Sequence, residues 1–557
     1  MNNVYAKIVD SMQKVFPGQE PAGEERRKTI LQNERLNFQL VYKNDSPFTI
    51  SNASIEVKGG LAAYITVRAV ELVPATYFPV KGADDYVLSA NPGLFPDVLK
   101  PTGKLGAVLP SAQWKAFWVS AENKEGFAPG KYKTEFILRG KDGGILSRLV
   151  YETEVLPIAA RETDLKVTNW FHYDAIAAKH GVSLFSDGFY AVFEGYLREY
   201  VRAGNNMILT PLFTPPLDTE VGGERRTAQL IGVKKQAQGY RFDFSALIKF
   251  VSFVTERGIK YIEFSHLFTQ WGGQCCPKII GENESGEKQK IFGWETASDS
   301  EEYLSFLNEF LPSLVREIDR NGWRDRCYFH LTDEPSAEHL HRYKFLRDFV
   351  KERIGDLPVM DAISHYEFYE KGGVDVPVPV TSAYDNFADK GIKELFVYYC
   401  CVPYDKYYSN RFLNMPLHRV KILGAQLYET GVQGFLHWGF NFYNTARSVE
   451  EIDPYADTSA GALFPAGDSF VVYPAENDAY ASNRSEALGE GFFEYRVLKT
   501  LEAYAGRKKT LKLLHDYGIR GYNAYPKNAA VHKELREKIY AVLKNYAKKQ
   551  AKQERMI

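Results

Sequence analysis

After Asp164 the chain repeats one pattern: a short run rich in β-branched and aromatic residues, then a segment with apolar side chains at helical spacing. Such runs fall at 165–171, 207–212, 261–266, 327–332, 358–363, 378–383, 395–400 and 434–439. Runs joined by crossover helices predict parallel strands, and this number of them predicts a closed (β/α)8, TIM-like barrel. Some of the helices are explicit. Phe189, Val192, Phe193, Tyr196 and Tyr200 precede Gly204, and Leu340, Tyr343, Leu346, Val350 and Ile354 precede Gly355, each glycine ending its helix. The connection 365–375 is short for a full helix.

Residues 35–156 have a different texture. Apolar and polar positions alternate, as in Leu36-Asn-Phe-Gln-Leu-Val-Tyr42 and Tyr132-Lys-Thr-Glu-Phe-Ile-Leu138, between clusters of Gly, Pro, Asn and Asp, which predicts an antiparallel β-sandwich. Pro157 and the polar stretch Arg161-Glu-Thr-Asp164 form a linker, and the segment from Ser485 reads as helical, packing on the outside of the barrel. The expected domains are 1–160, 161–484 and 485–557. A formal net charge of -1 creates no field for polyanions or anionic lipid surfaces, so neither nucleic acid nor membrane is an expected partner. No long apolar run and no secretory leader is evident in the sequence, which points to the cytoplasm. Cys275-Cys276, Cys400-Cys401 and Cys327 match neither a disulfide framework nor a zinc spacing; a reducing compartment suits them, and no metal or other cofactor is called for.

Barrel enzymes carry their reacting groups at the carboxyl ends of strands. Asn205 and Asn206 precede their strand and are turn residues on this reading. In Cys327-Tyr-Phe-His-Leu-Thr-Asp-Glu-Pro335, alternation puts Tyr328, His330, Thr332 and Glu334 on the axial face and Asp333 on the other. Pro335 restricts Glu334 to extended geometry and marks a turn, after which both carboxyls reach the cleft. Adjacent carboxylates repel, so one keeps its proton near neutral pH, giving the acid and the anion that glycoside hydrolysis requires. The competing local reading of Asp-Glu-Pro is an ordinary helix start.

The motif His330-Leu-Thr-Asp-Glu-Pro-Ser336, with Tyr398-Tyr-Cys-Cys-Val-Pro403 and Gly434-Phe-Leu-His-Trp-Gly-Phe-Asn441, resembles glycoside hydrolase family 123. Ala466-Gly-Asp-Ser-Phe-Val-Val-Tyr-Pro474 and Arg484-Ser-Glu-Ala-Leu extend the resemblance, while Gly489-Glu-Gly-Phe-Phe-Glu-Tyr495 departs from it and reads as structural. The resemblance implies a β-N-acetylgalactosaminidase acting on glycans with terminal β-linked N-acetylgalactosamine by retaining, substrate-assisted catalysis through an oxazoline. It implies Glu334 as general acid/base and Asp333 as the group that orients the acetamido nucleophile.

Trp170 and His172 after the first strand, Trp271 after the third, Tyr384 and Asp385 after the sixth, and Trp438 and Asn441 after the eighth are candidates to line the sugar pocket, against a competing role in core packing. His330 reads as a buried, hydrogen-bonded histidine, and His339 and His341 point apart on their helix. Two other functions stay open: a double-displacement glycosidase with Glu334 as acid/base and Asp361 or Asp385 as nucleophile, Glu263 being a further carboxylate on a strand, and a glycan-binding protein without activity.

Overall fold

The alternation in the first part of the chain resolves into two five-stranded sheets. One has the spatial order Val4–Asp10, Leu36–Asn44, Trp114–Ala121, Ile65–Ala75, Gly93–Pro101; the other Arg27–Ile30, Ile145–Val155, Gly130–Arg139, Ile50–Gly59, Ala107–Leu109. Every second side chain turns inward, so Phe38 and Leu40 of the first sheet meet Phe136 and Tyr151 of the second in one core. The Phe38 ring stacks on Tyr151 at 4.1 Å and meets Phe136 edge-on at 5.5 Å. Pairing is antiparallel except between Arg27–Ile30 and Ile145–Val155. That parallel pair needs a long connection and leaves no hairpin signal in the sequence.

The structure, a computed structural model, describes residues 4–102 and 106–554. Its residues form two units, one of Met1–Thr163, Asp405–Gly431 and Tyr480–Ile557, the other of Asp164–Tyr404 and Val432–Ala479. The helical tail, expected to pack on the outside of the barrel, is grouped in the first unit together with Leu423–Thr430, the helix before the strand Gly434–His437. Leu498 and Leu501 of the helix Asn483–Ala505, with Leu535, Ile539 and Leu543 of Ala529–Glu554, share a core with Leu31, Leu156 and Tyr428. Arg484 is fully buried and bidentate to Asp97, and Glu486 pairs with Arg68 and Arg35. In the stretch 489–495, Gly491 lets the helix Asn483–Ala505 cross Leu423–Thr430 in backbone contact; a Cβ on Gly424 would run into the Gly491 carbonyl.

The second unit holds eight short parallel strands: β1 (Lys166–Asn169), β2 (Met207–Thr210), β3 (Tyr261–Phe264), β4 (Cys327–Phe329), β5 (Met360–Ala362), β6 (Val376–Val378), β7 (Phe396–Tyr398) and β8 (Gly434–His437). Ladders join β1 to β8, β8 to β7, β2 to β3, β3 to β4 and β5 to β6. Single parallel bridges, Phe329 to Val359 and Val380 to Tyr398, continue the series beside β5 and β6. Between β1 and β2, Asn206 gives its backbone N–H to the Val167 carbonyl (3.1 Å) and accepts the Val167 N–H on Oδ1 (2.9 Å), while Asn205 is hydrogen-bonded to Asn169 and Tyr200.

Helices fill the intervals where the sequence gives them caps and a buried stripe. Glu301–Arg320 starts at Ser300, whose side chain accepts the Tyr303 N–H, has Glu301 and Glu302 at its positive end, and buries Tyr303, Phe306, Phe310 and Leu314 along one face. Gly204 and Gly355 follow their helices at φ +93° and +67°, left-handed values that favour glycine. The connection 365–375 holds one seven-residue helix, Tyr366–Gly372. The sixth strand lies earlier than the run 378–383: Pro377 and Pro379 hold the chain extended around Val378, and Thr381–Asn386 forms a 3-10 helix instead. A four-stranded sheet of Tyr240–Asp243, Gly232–Lys235, Ile279–Glu282 and Lys288–Phe292 was not legible, because these short strands are rich in charge and poor in alternation. Among the described residues no helix is long and apolar enough to cross a membrane.

Candidate active site

β4 carries the polar residues inward as alternation predicts. Tyr328 lies in the apolar cluster with Trp170, Met207, Leu209 and Met360. Two residues on, His330 is fully buried between carboxylates. The strand geometry then breaks. Glu334 takes φ +44°, the left-handed region, and not the extended geometry expected before Pro335. This reversal interrupts the alternation that would have sent Asp333 and Glu334 to opposite faces. Residues held in such a conformation are strained and persist only where their surroundings fix them. Two contacts do so: the Trp271 N–H donates to the Asp333 carbonyl (2.8 Å), and the Tyr398 hydroxyl donates to Glu334 Oε1 (2.5 Å).

Asp333 is half-buried and Glu334 exposed. Burial, reinforced by the negative charge of Glu334, holds the Asp333 carboxyl well above the usual carboxylate range, and His330 offsets only part of this.

Beneath the pair lies a closed network. His330 Nε2 meets Glu263 Oε1 at 2.6 Å and Nδ1 meets Asp361 Oδ1 at 3.2 Å. Trp170 Nε1 and the Thr168 hydroxyl also donate to Glu263 (2.6 and 2.7 Å), while Tyr343 and the Leu331 N–H donate to Asp361 (2.7 and 3.0 Å). Burial disfavours charge on His330, but the hydrogen bonds to Asp361 and Glu263 outweigh it and hold the imidazole up at about 9. His330 is thus an imidazolium clamped between strands β3 and β5. Its folded value exceeds the ordinary 6.5, so its contribution to stability is complete below pH 6.5 and lost as the pH rises towards 9. Denaturant unfolding at pH 6 should show His330→Ala less stable by about 3–5 kcal/mol, because two buried carboxylates lose their cation. That gap should narrow by pH 9.5; a gap independent of pH would contradict the assignment.

His266, Asp361 and His330 bring one potential ligand atom each within 4.8 Å. Both nitrogens of His330 are already committed to carboxylates, so the cluster reads as a hydrogen-bonded histidine–carboxylate network and not as a cation site. His266 stacks on His330 at 4.4 Å, and among the described residues neither of its buried ring nitrogens has a hydrogen-bond partner. Burial and the neighbouring His330 charge keep it neutral by holding its pKa well below 6.5.

The aromatic and polar candidates divide by exposure. Trp271, itself at φ +57°, is 39 % exposed, and Trp438 is half-buried with Nε1 on Asp468 (3.1 Å). Tyr384 is half-buried and Asp385 exposed on the 3-10 helix Thr381–Asn386. Trp170, only 2 % exposed, belongs to the interior cluster. His172 is buried, accepting from Arg225 Nη2 on Nδ1 (3.1 Å) and meeting the Trp438 carbonyl with Nε2 (3.0 Å). Burial, then Arg225, lower its pKa to about 3. Asn441 is wholly buried and latches both backbone groups of His172 at 3.0 Å. All three are buried, with their polar atoms engaged by other parts of the chain.

Four further residues have roles that the sequence does not assign, although Tyr398 and Asp468 stand in its motifs. Tyr398 holds Glu334; Asp468 joins His437 and Trp438; Arg225 binds Asp174 through two nitrogens (2.8 and 2.7 Å) and orients His172. Asp218, on the loop after β2, is pushed up to about 6 by burial and adds negative charge near Asp333. Strand-end placement flagged the region of Tyr398 but no spacing rule pairs it with Glu334, and the Asp218 loop carries no local signal.

A cavity of about 950 Å3 in the first unit is lined by charged residues including Asp10, Lys28, Lys421, Glu490 and Arg536. Its cations are largely engaged, Lys421 with Glu490 and Glu494 and Arg536 with Glu34.

Residues 170–501, more than half of the chain, match the family model described as glycoside hydrolase 123, catalytic domain. A family 123 glycoside hydrolase from Clostridium perfringens, whose structure is described in terms of glycolipid glycan hydrolysis, shares 16% identity and a TM-score of 0.73. The match covers 98% of this chain and 99% of that one. A family 2 glycosyl hydrolase from Bacteroides cellulosilyticus (12% identity, TM-score 0.29, 82% and 48% covered) and an endo-β-1,4-mannanase from Thermotoga petrophila (11%, 0.35, 60% and 77%) are much more distant. No curated protein matches the chain.

Proposed function

We propose that this chain, which belongs to glycoside hydrolase family 123 and is therefore a glycosidase, removes terminal β-linked N-acetylgalactosamine from glycans, those of glycolipids included, by substrate-assisted catalysis. The observation that carries this reading is the adjacent pair Asp333 and Glu334 at the end of β4, with the backbone reversal at Glu334 and the Tyr398 hydroxyl on its carboxylate. The eight parallel strands close into a (β/α)8 barrel on this reading, supported by neighbour contacts that run from β1 round to β8 and back to β1.

The chemistry follows from where one proton sits. An acetamido N–H presented to Asp333 stabilises its anion, and because the two carboxyls repel, the proton is then held by Glu334. Glu334 passes it to the glycosidic oxygen as the acetamido carbonyl oxygen attacks the anomeric carbon, closing an oxazolinium ring whose positive charge faces Asp333. Glu334, now an anion accepting from Tyr398, takes a proton from water as the ring reopens, and the anomeric configuration is retained.

The double-displacement alternative is poorly supplied. Asp361 is fully buried with both oxygens hydrogen-bonded, Glu263 is likewise engaged, and Asp385 sits exposed on its 3-10 helix. The test is a panel of aryl β-glycosides. Turnover is expected on the N-acetylgalactosaminide and little on the β-galactoside that lacks the acetamido group. Equal turnover of the two would remove substrate assistance, and no turnover of either would leave glycan binding as the better reading.

A further inference from the structure

The sequence places two adjacent cysteines just after β7, and the hydrolytic chemistry above does not use them. Cys400 and Cys401 are both half-buried, and their sulfurs lie 3.7 Å apart. The position is a sensitive one. Cys400 packs on the apolar cluster that contains Tyr398 and Trp170, alongside Trp438, and Tyr398 is the residue that holds Glu334. The hydrogen bond to Cys401, then burial, hold the Cys400 thiol well above its usual range, and the charges of Glu334 and Asp468 add to this.

The spacing decides what two such thiols accept. Adjacent Cα atoms are about 3.8 Å apart, closer than the roughly 4.4–6.8 Å that a relaxed disulfide prefers, so direct S–S bonding is disfavoured. A single atom bound to both sulfurs through bonds of about 2.3 Å spans roughly 3.4 Å at the narrow angle of a pyramidal centre to 3.8 Å at a tetrahedral one, and the pair stands at the wide end of that range, a small side-chain rotation from the pyramidal span. The other vicinal pair lacks this arrangement: Cys276 is buried and turns its sulfur to the Ala297 carbonyl at 3.7 Å.

We propose that Cys400 and Cys401 form a dithiol site at the rim of the catalytic cleft that chelates a soft, thiophilic centre of the trivalent arsenic class, and that its occupation stops hydrolysis. The exchange balances without a redox step. Two arsenic–oxygen bonds break, two arsenic–sulfur bonds form, and both thiol protons leave with oxygen as water. The protonated Cys400 thiol is therefore no obstacle, whereas alkylating reagents, which need the thiolate, should react slowly there. A group held on these sulfurs crowds Trp438 and the Tyr398 side chain that fixes Glu334.

Phenylarsine oxide added to the full-length protein tests this in two arms. Intact mass spectrometry should show one adduct per chain, reversed by 2,3-dimercaptopropanol and resistant to a monothiol, and absent in Cys401→Ala. This arm does not depend on which glycoside is cleaved, so it fails or succeeds apart from the proposed function. In the second arm, hydrolysis by the wild type should fall at least tenfold at one equivalent, while Cys401→Ala and Cys401→Ser, which keep their untreated rate, resist. A Cys275→Ser control should bind and be inhibited like the wild type. No adduct on the wild type, an adduct unchanged in both Cys401 variants, or an adduct that leaves hydrolysis intact would overturn the proposal.

Discussion

Glu334→Gln should lower kcat/KM on a natural glycan by about 10² to 10⁴, the range that a positioned general acid contributes. Gln keeps the size of the side chain and a carbonyl oxygen for the Tyr398 hydroxyl, but has no proton to give to the leaving oxygen. A substrate with an activated aryl leaving group needs that proton least, so its first step should be spared while water activation in the second still suffers. The expected signature is a much larger loss on the glycan than on the aryl glycoside. Equal losses on the two would mean that Glu334 shapes the site without passing a proton.

Asp333→Asn should reduce turnover by about 10² to 10³, the usual effect of removing one preorganised electrostatic contact from a transition state. The loss should appear on substrates that carry the acetamido group, since that is the group Asp333 faces on this account. The same substitution should stabilise the fold. Asp333 is held well above its ordinary 3.8, so the folded wild type is penalised increasingly as the pH rises above that value. The neutral Asn escapes the penalty. Thermal melts of the two proteins should nearly coincide at pH 4, with the variant melting higher at pH 8. A variant that is less stable than the wild type at pH 8 would show that the carboxyl is not penalised by its surroundings.

The part of the site that was legible from sequence is the part encoded by neighbours in the chain. Asp333 and Glu334 adjoin one another after an apolar run, and His330 stands out as a polar residue inside a strand. Their partners come from elsewhere: Glu263 and Asp361 reach His330 from β3 and β5, and Tyr398 reaches Glu334 from β7. Each sits on a strand that could be counted, but strand order and register decide which side chains meet, and these are properties of the assembled sheet. The same limit explains His172 and Asn441. Placement at a strand end brought them to the right region, yet the Asn441 amide is engaged by the His172 backbone, and the His172 ring by Arg225 and the Trp438 carbonyl. Glu334 departs most from local rules. Proline after it argues for extended backbone, and only tertiary contacts from Trp271 and Tyr398 hold it left-handed.

The fold shows a similar division. The sandwich strands announce themselves through period-two alternation, and the caps and glycine stops of helices such as Glu301–Arg320 and Leu340–Ile354 are local. The helical tail falls in the unit of the N-terminal sheets because Leu498, Leu535 and Ile539 find their partners in Leu31 and Leu156, a choice among apolar surfaces that periodicity cannot make.

The interaction on which the whole account turns is the one between the Asp333 carboxylate and the acetamido group during ring closure. Calorimetric titration of an N-acetylgalactosamine-derived thiazoline, a stable mimic of that ring, measures it directly in the wild type and in Asp333→Asn. The account predicts tight binding by the wild type and a loss of at least tenfold in the variant. Equal affinity for both proteins, or no binding to a wild type that still hydrolyses the N-acetylgalactosaminide, would contradict it.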